Sequence, residues 1–249
     1  MPLKRLIRQV LTQPAQDFDA PIAPEAPFYA IGDIHGAYDA MDRLLDQIAN
    51  SRDYNPIVCV GDYVDRGDRS AEVLKRLHYI ATGYPDLFVC LKGNHEEMLL
   101  SFLDDPKRFG ARWLRHGGLQ TLASFRIPAM QDEEDIRDAL AEALGDPMIT
   151  WLRRLPVVWR SGNVAVTHAG ADPALPIDEQ SKMNFVWGHP NYTSKARRDG
   201  VWVVNGHEIV DAPRVQAGRI MIDTGAYATG ALTAARIGDG SVQFLVTER

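Results

Sequence analysis

The chain of 249 residues is 45% hydrophobic and 24% charged, a globular composition with enough apolar residues for a sizeable core. Its net charge of −6 argues against broad nucleic-acid binding, which needs a basic face. Two cysteines, Cys59 and Cys90, exclude a disulfide-rich scaffold, and no apolar stretch reaches the ~18 residues of a membrane span.

Residues 1–27 stand apart. Lys4, Arg5 and Arg8 are interleaved with Leu3, Leu6, Ile7, Val10 and Leu11, and then Pro14, Pro21, Pro24 and Pro27 interrupt regular structure. The segment lacks the continuous apolar region and cleavage site of a secretory signal. It reads as a flexible arm, either a mobile leader or a basic arm that docks a partner or a membrane surface. The whole is read as a cytoplasmic protein.

From Phe28 onward, short apolar strands alternate with helical patterns. Phe28–Ile31 is a predicted strand, and Met41, Leu44, Leu45 and Ile48 recur at helical spacing. Pro56–Val60 is a second strand. Ser70 is placed to cap a helix whose face is Val73, Leu74, Leu77 and Ile80, ending at Gly83. Leu87–Leu91 is a third strand, followed by a helical start at His95. This β-α-β-α-β order predicts parallel strands with right-handed crossovers. The stretch from about 98 to 159 reads as helical, with Ile136, Leu140 and Leu144 in register and Gly145 as a stop. Beyond it come Val164–Thr167, Val201–Val204, Ile220–Ile222 and Val242–Val246, with turns at Gly162-Asn163 and Gly238-Asp239-Gly240. The expectation is an α/β fold in one domain over residues 28–249, with two packed sheets, flanking helices and a helical insertion.

The chemically capable residues follow strands, beside glycines. Phe28–Ile31 leads into Gly32-Asp33-Ile34-His35-Gly36, and the second strand into Gly61-Asp62-Tyr63-Val64-Asp65-Arg66-Gly67. The third leads, after Lys92, into Gly93-Asn94-His95-Glu96, and later strands lead to His168-Ala169-Gly170 and Gly206-His207. Ligand sites form at such strand ends because the loops there converge. Asp33 to Asp62 is 62 − 33 = 29 positions and Asp62 to Asn94 is 94 − 62 = 32, each about one βαβ unit of ~30 residues. Asp33, Asp62 and Asn94 therefore stand side by side, and His168 and His207 can meet them from the second sheet. One such motif alone fits an ordinary turn; the ordered set points to a site. Carboxylates, imidazoles and one amide oxygen, with no thiolate, suit Mn²⁺, Fe²⁺ or Zn²⁺. There are too many ligands for one tetrahedral zinc, and they fit two ions ~3.5–4 Å apart that share a carboxylate.

In this order GDIHG, GDYVDRG, GNHE, HAG and a late GH resemble the phosphoprotein phosphatase branch of the calcineurin-like metallophosphoesterases. The chain is similar to bacterial and bacteriophage-lambda-type serine/threonine protein phosphatases from about Ala30 to the final strand, with WLRHGG and IDTGAY as softer features. The resemblance implies a four-layer α/β/β/α sandwich and two divalent ions, Mn²⁺ foremost, with Fe or Zn as alternatives. Asp33 and His35 would hold the first ion, Asp62 would bridge, and Asn94, His168 and His207 would complete the second. A bridging hydroxide would attack phosphorus in line, His95 would protonate the leaving alkoxide, and Asp65 would orient His95. Arg66 and Asn94 would bind the phosphoryl group.

Relatives place a second phosphate-binding arginine soon after the tryptophan of a segment like FVWGHP; here Trp187-Gly188 is followed by His189. Arg198 is the foremost substitute, with Arg197 and His189 as alternatives. Glu208 follows His207 where many bacterial relatives carry threonine. The implied activity is that of a serine/threonine protein phosphatase acting on a phosphoprotein or phosphopeptide. A dinucleoside tetraphosphate hydrolase or a small-molecule phosphatase on the same scaffold is the alternative. An inactive phosphate-binding protein is the reading from another class, and the presence of all six proposed ligands and His95 speaks against it. His116 reads as a helix terminator, Cys59 and Cys90 as buried thiols, and Tyr227 as either a pocket wall or an ordinary turn residue.

Overall fold

The computed structural model describes residues 18–129 and 132–247, which form ten strands and eight α-helices. In the first sheet β1 (Phe28–Ile31) pairs parallel with β2 (Ile57–Cys59), and β2 with β3 (Phe88–Cys90). The crossovers are α1 (Tyr38–Ser51) and α2 (Ser70–Gly83). Two late strands, β9 (Thr233–Gly238) and β10 (Ser241–Val246), extend this sheet antiparallel, giving the order β10-β9-β1-β2-β3. The second sheet contains β4 (Val158–Ser161), β5 (Val164–Thr167), β6 (Trp202–Asn205), β7 (Arg214–Gln216) and β8 (Arg219–Met221). Its order is β4-β5-β6-β8-β7, with β5, β6 and β8 mutually parallel.

Alternation along β1 shows how the layers assemble. Phe28 and Ala30 join Val58, Leu91, Val164, Val166, Val204 and Ile220 in the cluster between the sheets. Tyr29 and Ile31 point the other way, into the cluster beneath the helices. A period of two puts successive side chains on opposite faces, and here both faces are covered. That is why the strand reads as a continuous apolar run rather than as an alternation.

Between the sheets in sequence lie α3 (Asn94–Asp104), α4 (Pro106–Trp113), α5 (Leu119–Ser124) and α6 (Glu133–Arg154). Asp132 caps α6 by accepting a hydrogen bond from Glu134 N. The helix breaks at Gly145 (φ 74°), where the sequence predicts a stop, and then resumes through Pro147 to Arg154. Residues 158 and 159, expected at the end of the helical insertion, instead open the edge strand β4. Ser70 is not a cap either: it is the first residue of α2, and its hydroxyl accepts from Asp65 N at 3.2 Å. A tertiary partner wins over the local rule. Short helices α7 (Lys182–Trp187) and α8 (Ala226–Thr229) complete the described elements.

The arm expected to be flexible as far as residue 27 is packed over 18–27. Phe18 stands edge-on to Trp202, with ring centroids 4.9 Å apart, and Trp202 Nε1 donates to Ala20 O at 2.9 Å. Asn163 accepts from Ala23 N and donates to Pro21 O, both at 2.8 Å. Prolines do not prevent this attachment, because the side chains of Asn163, Trp202 and Ser161, rather than a strand ladder, make most of the bonds. The basic stretch with Lys4, Arg5 and Arg8 lies outside the described residues. Among the described residues no helix is long and apolar enough to cross a membrane.

Candidate metal centre

The carboxyl ends of the parallel strands of both sheets meet at one place. Asp33 and His35 follow β1, Asp62 follows β2, and Asn94 opens α3 just after β3. His168 follows β5 and His207 follows β6. His35 Nε2 lies 3.4 Å from Asp62 Oδ2, and His168 Nε2 lies 3.3 Å from Asp62 Oδ1. Asn94 Oδ1 is 2.9 Å from both His168 Nε2 and His207 Nδ1. Asp33 is tied in by His207 N, which donates to its Oδ2 at 3.0 Å. All six residues proposed from the sequence are therefore gathered, with Asp62 in the middle.

The backbone is bent to achieve this. His35, Asp62, Asp65, Arg66 and His207 all have positive φ, five of the ten non-glycine residues that do so among the described residues. Such conformations cost about 1–3 kcal/mol each and persist where the surroundings enforce them. Glu96 is one enforcer: its buried carboxylate accepts from Asp62 N and Tyr63 N, each at 2.8 Å, and from Gly93 N at 2.9 Å. His35 is held by its Nδ1 donating to Val64 O at 2.7 Å, which leaves Nε2 as the free nitrogen facing Asp62.

The electrostatics of the cluster call for cations. Burial, then Asp223 and Asp62, raise the Asp33 carboxyl well above its usual range. Burial works against ionisation of Asp62 too, but His168 and His95 outweigh it and hold this carboxyl well below the usual range. Burial, reinforced by His168, pushes His207 down to about 4. His168 Nε2 and His207 Nδ1 face each other at 3.2 Å across Asn94 Oδ1, an arrangement of lone pairs that suits a shared cation better than a proton. Of the five buried side-chain polar atoms without a hydrogen-bond partner among the described residues, four belong here: Asp33 Oδ1, His35 Nε2, His168 Nδ1 and Asp223 Oδ2. Two triads, His35-Asp62-His95 and Asp62-His168-His207, have ligand atoms close enough to surround an ion, and Asp62 is common to both. The donor set fits two divalent ions.

Beside the cluster stands a second arrangement. His95 Nδ1 donates to Asp65 Oδ2 at 2.6 Å, and His95 Nε2 points to the cluster, 3.8 Å from Asp62 Oδ2 and 3.2 Å from Arg66 Nη2. Asp65 also accepts from Trp113 Nε1 at 3.1 Å and from Thr121 Oγ1 at 2.7 Å. Trp113 and Thr121 were not singled out in the sequence, although Trp113 opens the WLRHGG segment. That segment contains a wide π-helical turn, Leu114–Gly118, in which Gly117 takes φ 112° and presses against Arg66. A Cβ at Gly117 would come within 2.5 Å of Arg66 N, so glycine is needed there. An open cavity of about 810 Å³ results, walled by Arg66, Arg115, His116, His207, Ile209 and Tyr227.

None of the three residues offered as a second phosphate clamp lines the cavity beside Arg66. Arg197 is buried and bonded to Asp199, Asp172 O and Leu175 O, a loop-fixing role. Arg198 is exposed, and neither the hydrogen bonds of the cluster nor the cavity wall includes it. His189 stands 3.6 Å from Asp172. The basic groups beside Arg66 are instead Arg115 and His116, and His116 is a cavity wall rather than only a helix terminator.

The model of the calcineurin-like phosphoesterase family matches residues 26–211, which span the six residues proposed as metal ligands together with Asp65, Arg66 and His95. The chain belongs to this family. It is 30% identical over 229 residues to the asymmetrical bis(5'-nucleosyl)-tetraphosphatase PrpE of Oceanobacillus iheyensis, covering 83% of this chain and 86% of that protein. It is 26% identical over 213 residues to serine/threonine-protein phosphatase 2 of Salmonella typhimurium, covering 82% and 90%. A symmetrical bis(5'-nucleosyl)-tetraphosphatase of Nitrosococcus oceani is 33% identical over 155 residues, a match that spans 60% of this chain but only 45% of that protein. In fold the chain is similar to a crystal structure described as a candidate diadenosine tetraphosphatase. The TM-score is 0.64 and the identity 21%, with 93% of this chain and all of that chain covered. Two mixed sheets flanked by helices are the metallophosphoesterase sandwich, and the chain spans under half the length of the symmetrical tetraphosphatases it matches.

Proposed function

We propose that this member of the family is a phosphomonoesterase acting on phosphoserine and phosphothreonine in proteins or peptides, with Mn²⁺ as its metal, in the cytoplasm. The observation that carries this reading is the buried Asp65–His95 pair with Nε2 aimed at the cluster. An alkoxide leaving group needs a proton, and His95 is placed to deliver it while Asp65 stabilises the imidazolium. Divalent ions held by Asp33, His35, Asp62, Asn94, His168 and His207 would supply Lewis-acid polarisation of the phosphoryl group and a nucleophilic water at neutral pH. Arg66 presents a planar pair of donors to non-bridging oxygens and, stacked 5.4 Å from the Tyr227 ring, holds its orientation. Strain at five positive-φ positions pre-forms the site before substrate arrives.

A second reading has its own observation. Arg66, Arg115 and His116 on one cavity wall suit a chain of phosphates, and two of the relatives above are named as tetraphosphatases. Metal-stripped protein reloaded with Mn²⁺, Fe²⁺ or Zn²⁺ and given a phosphoserine peptide, a phosphotyrosine peptide and diadenosine tetraphosphate separates the readings. Mn²⁺-dependent release from the phosphoserine peptide is expected. Turnover of the dinucleotide alone, with KM raised in Arg115→Ala, moves the assignment to the second reading. Binding of phosphate with no turnover leaves a binding protein.

A further inference from the structure

Six parallel strands end at the cluster, three from each sheet, yet the ligand set uses only five of them. The sixth is β8. It runs into Ile222-Asp223-Thr224-Gly225, an acid beside a glycine just past an apolar strand, the same local pattern that supplies Asp33 and Asp62. Asp223 is 2% exposed. Its Oδ1 accepts from Gly225 N at 2.9 Å, which fixes the side chain, while its Oδ2 is buried and has no partner.

The free oxygen belongs to the Asp33–His35 side. Gly32 lets the end of β1 touch the end of β8: a Cβ at Gly32 would come within 2.3 Å of Ile222 O. Asp223 therefore stands within charge-interaction range of Asp33, Asp62 and His35, and of His168 on the other side of Asp62. Three buried carboxylates and an unpartnered imidazole nitrogen are gathered here, and among the described residues no lysine or arginine is bonded to any of the three carboxylates. A buried carboxylate without a partner is costly unless a cation compensates it. The Asn94–His168–His207 side already has an amide oxygen and two imidazoles; the opposite side has one carboxylate, one imidazole and the shared Asp62.

We propose that Asp223 completes the ion site on the Asp33–His35 side, acting on that ion through one water, and is a positioning residue of the metal centre. The proposal rests on the two-ion reading of the cluster. Hard divalent ions prefer oxygen donors and more than three of them, and a carboxylate around an ion site typically changes metal affinity 10–100-fold.

Equilibrium dialysis of the full chain against Mn²⁺, with metal counted by emission spectroscopy, tests it alongside melting curves with and without Mn²⁺. Wild type is expected to take up two ions. Asp223→Asn is expected to keep one and to bind the other at least ~10-fold more weakly. Its amide oxygen still accepts from Gly225 N and the variant removes one buried charge, so the metal-free variant should melt no lower than wild type while gaining less from Mn²⁺. Asp223→Ser, which also keeps an oxygen for Gly225 N, should behave alike. Two ions at unchanged affinity, or a lower metal-free melting point with an unchanged Mn²⁺ gain, would overturn the proposal and leave Asp223 a turn residue. Failure of wild type to bind a second ion would remove the two-ion reading itself.

Discussion

The two ends of the first sheet use aspartate in opposite ways. At the amino end, Asp53 precedes β2 and accepts hydrogen bonds from the Ser51 hydroxyl, from Tyr29 Oη at 3.1 Å and from Arg236 Nε at 3.0 Å. At the carboxyl end, Asp33 has one backbone donor, an orphaned oxygen and two carboxylate neighbours. The Ser51 hydroxyl first, then Arg236, lowers Asp53 to about 2, whereas burial raises Asp33 well above its usual range. The amino end lowers the free energy of the fold on its own. The carboxyl end is destabilised until something binds, and perturbed groups of that kind mark functional sites.

The sharpest break of this contrast is at Asp62, the carboxylate shared by both triads. Asp62→Asn should abolish turnover and metal uptake together, and a variant that keeps two ions by elemental analysis would contradict the shared role. Stability of the metal-free protein should fall much less than metal affinity, since the lost charge sits among other buried acids. His95→Asn comes next: it should keep both ions and lose roughly 10²–10⁴-fold in turnover of a phosphoserine peptide. An aryl phosphate, whose leaving group needs less protonation, should lose less, and equal losses on the two substrates would remove His95 from the proton-donor role.

Much of this contrast was legible in the sequence, and for a physical reason. An apolar run that ends in Gly-Asp or Gly-Asn states both where a strand stops and where a functional carboxylate or amide sits, so spacing placed Asp33, Asp62 and Asn94 side by side, while His168 and His207 were expected opposite them only because they too follow strands. What escaped was held by contacts between distant segments. Trp113 and Thr121 reach Asp65 across 48 and 56 positions, a pairing that no local pattern encodes. Ser70 looked like a cap and serves Asp65 instead, and Arg197 looked like a clamp and fixes a loop. Asp223 had the same strand-end signal as the others but lay in a segment noted only as a turn. Strand β9 was missed because Thr-Ala-Ala carries little strand preference; it is a strand because β1 and β10 flank it.

Glu96 joins the two ends, since it stabilises the fold by holding the strained loop of the site. Burial and Asp62 raise its carboxyl, yet it accepts four backbone N–H groups, that of Val64 at 3.4 Å among them. Glu96→Gln places an amide against at least one of those donors and should cost about 2–3 kcal/mol, readable as a lower urea midpoint at unchanged m-value. Turnover should fall with the loosened Asp62 loop, and full stability in this variant would mean that the positive-φ turn is held by other contacts.

The smallest effect is expected at Asp53. A carboxyl whose pKa is depressed in the folded state stabilises above its unfolded value near 4 and stops doing so as pH falls through about 2. Asp53→Asn should therefore lower stability by no more than about 1 kcal/mol at pH 7, because the pair is partly exposed to solvent. The difference from wild type should shrink between pH 4 and pH 2, with metal content at neutral pH untouched. Urea unfolding across that pH range, paired with a metal count at pH 7, reads both. A loss of metal in this variant would show that the two ends of the sheet are coupled, and the division of labour between them would then have to be abandoned.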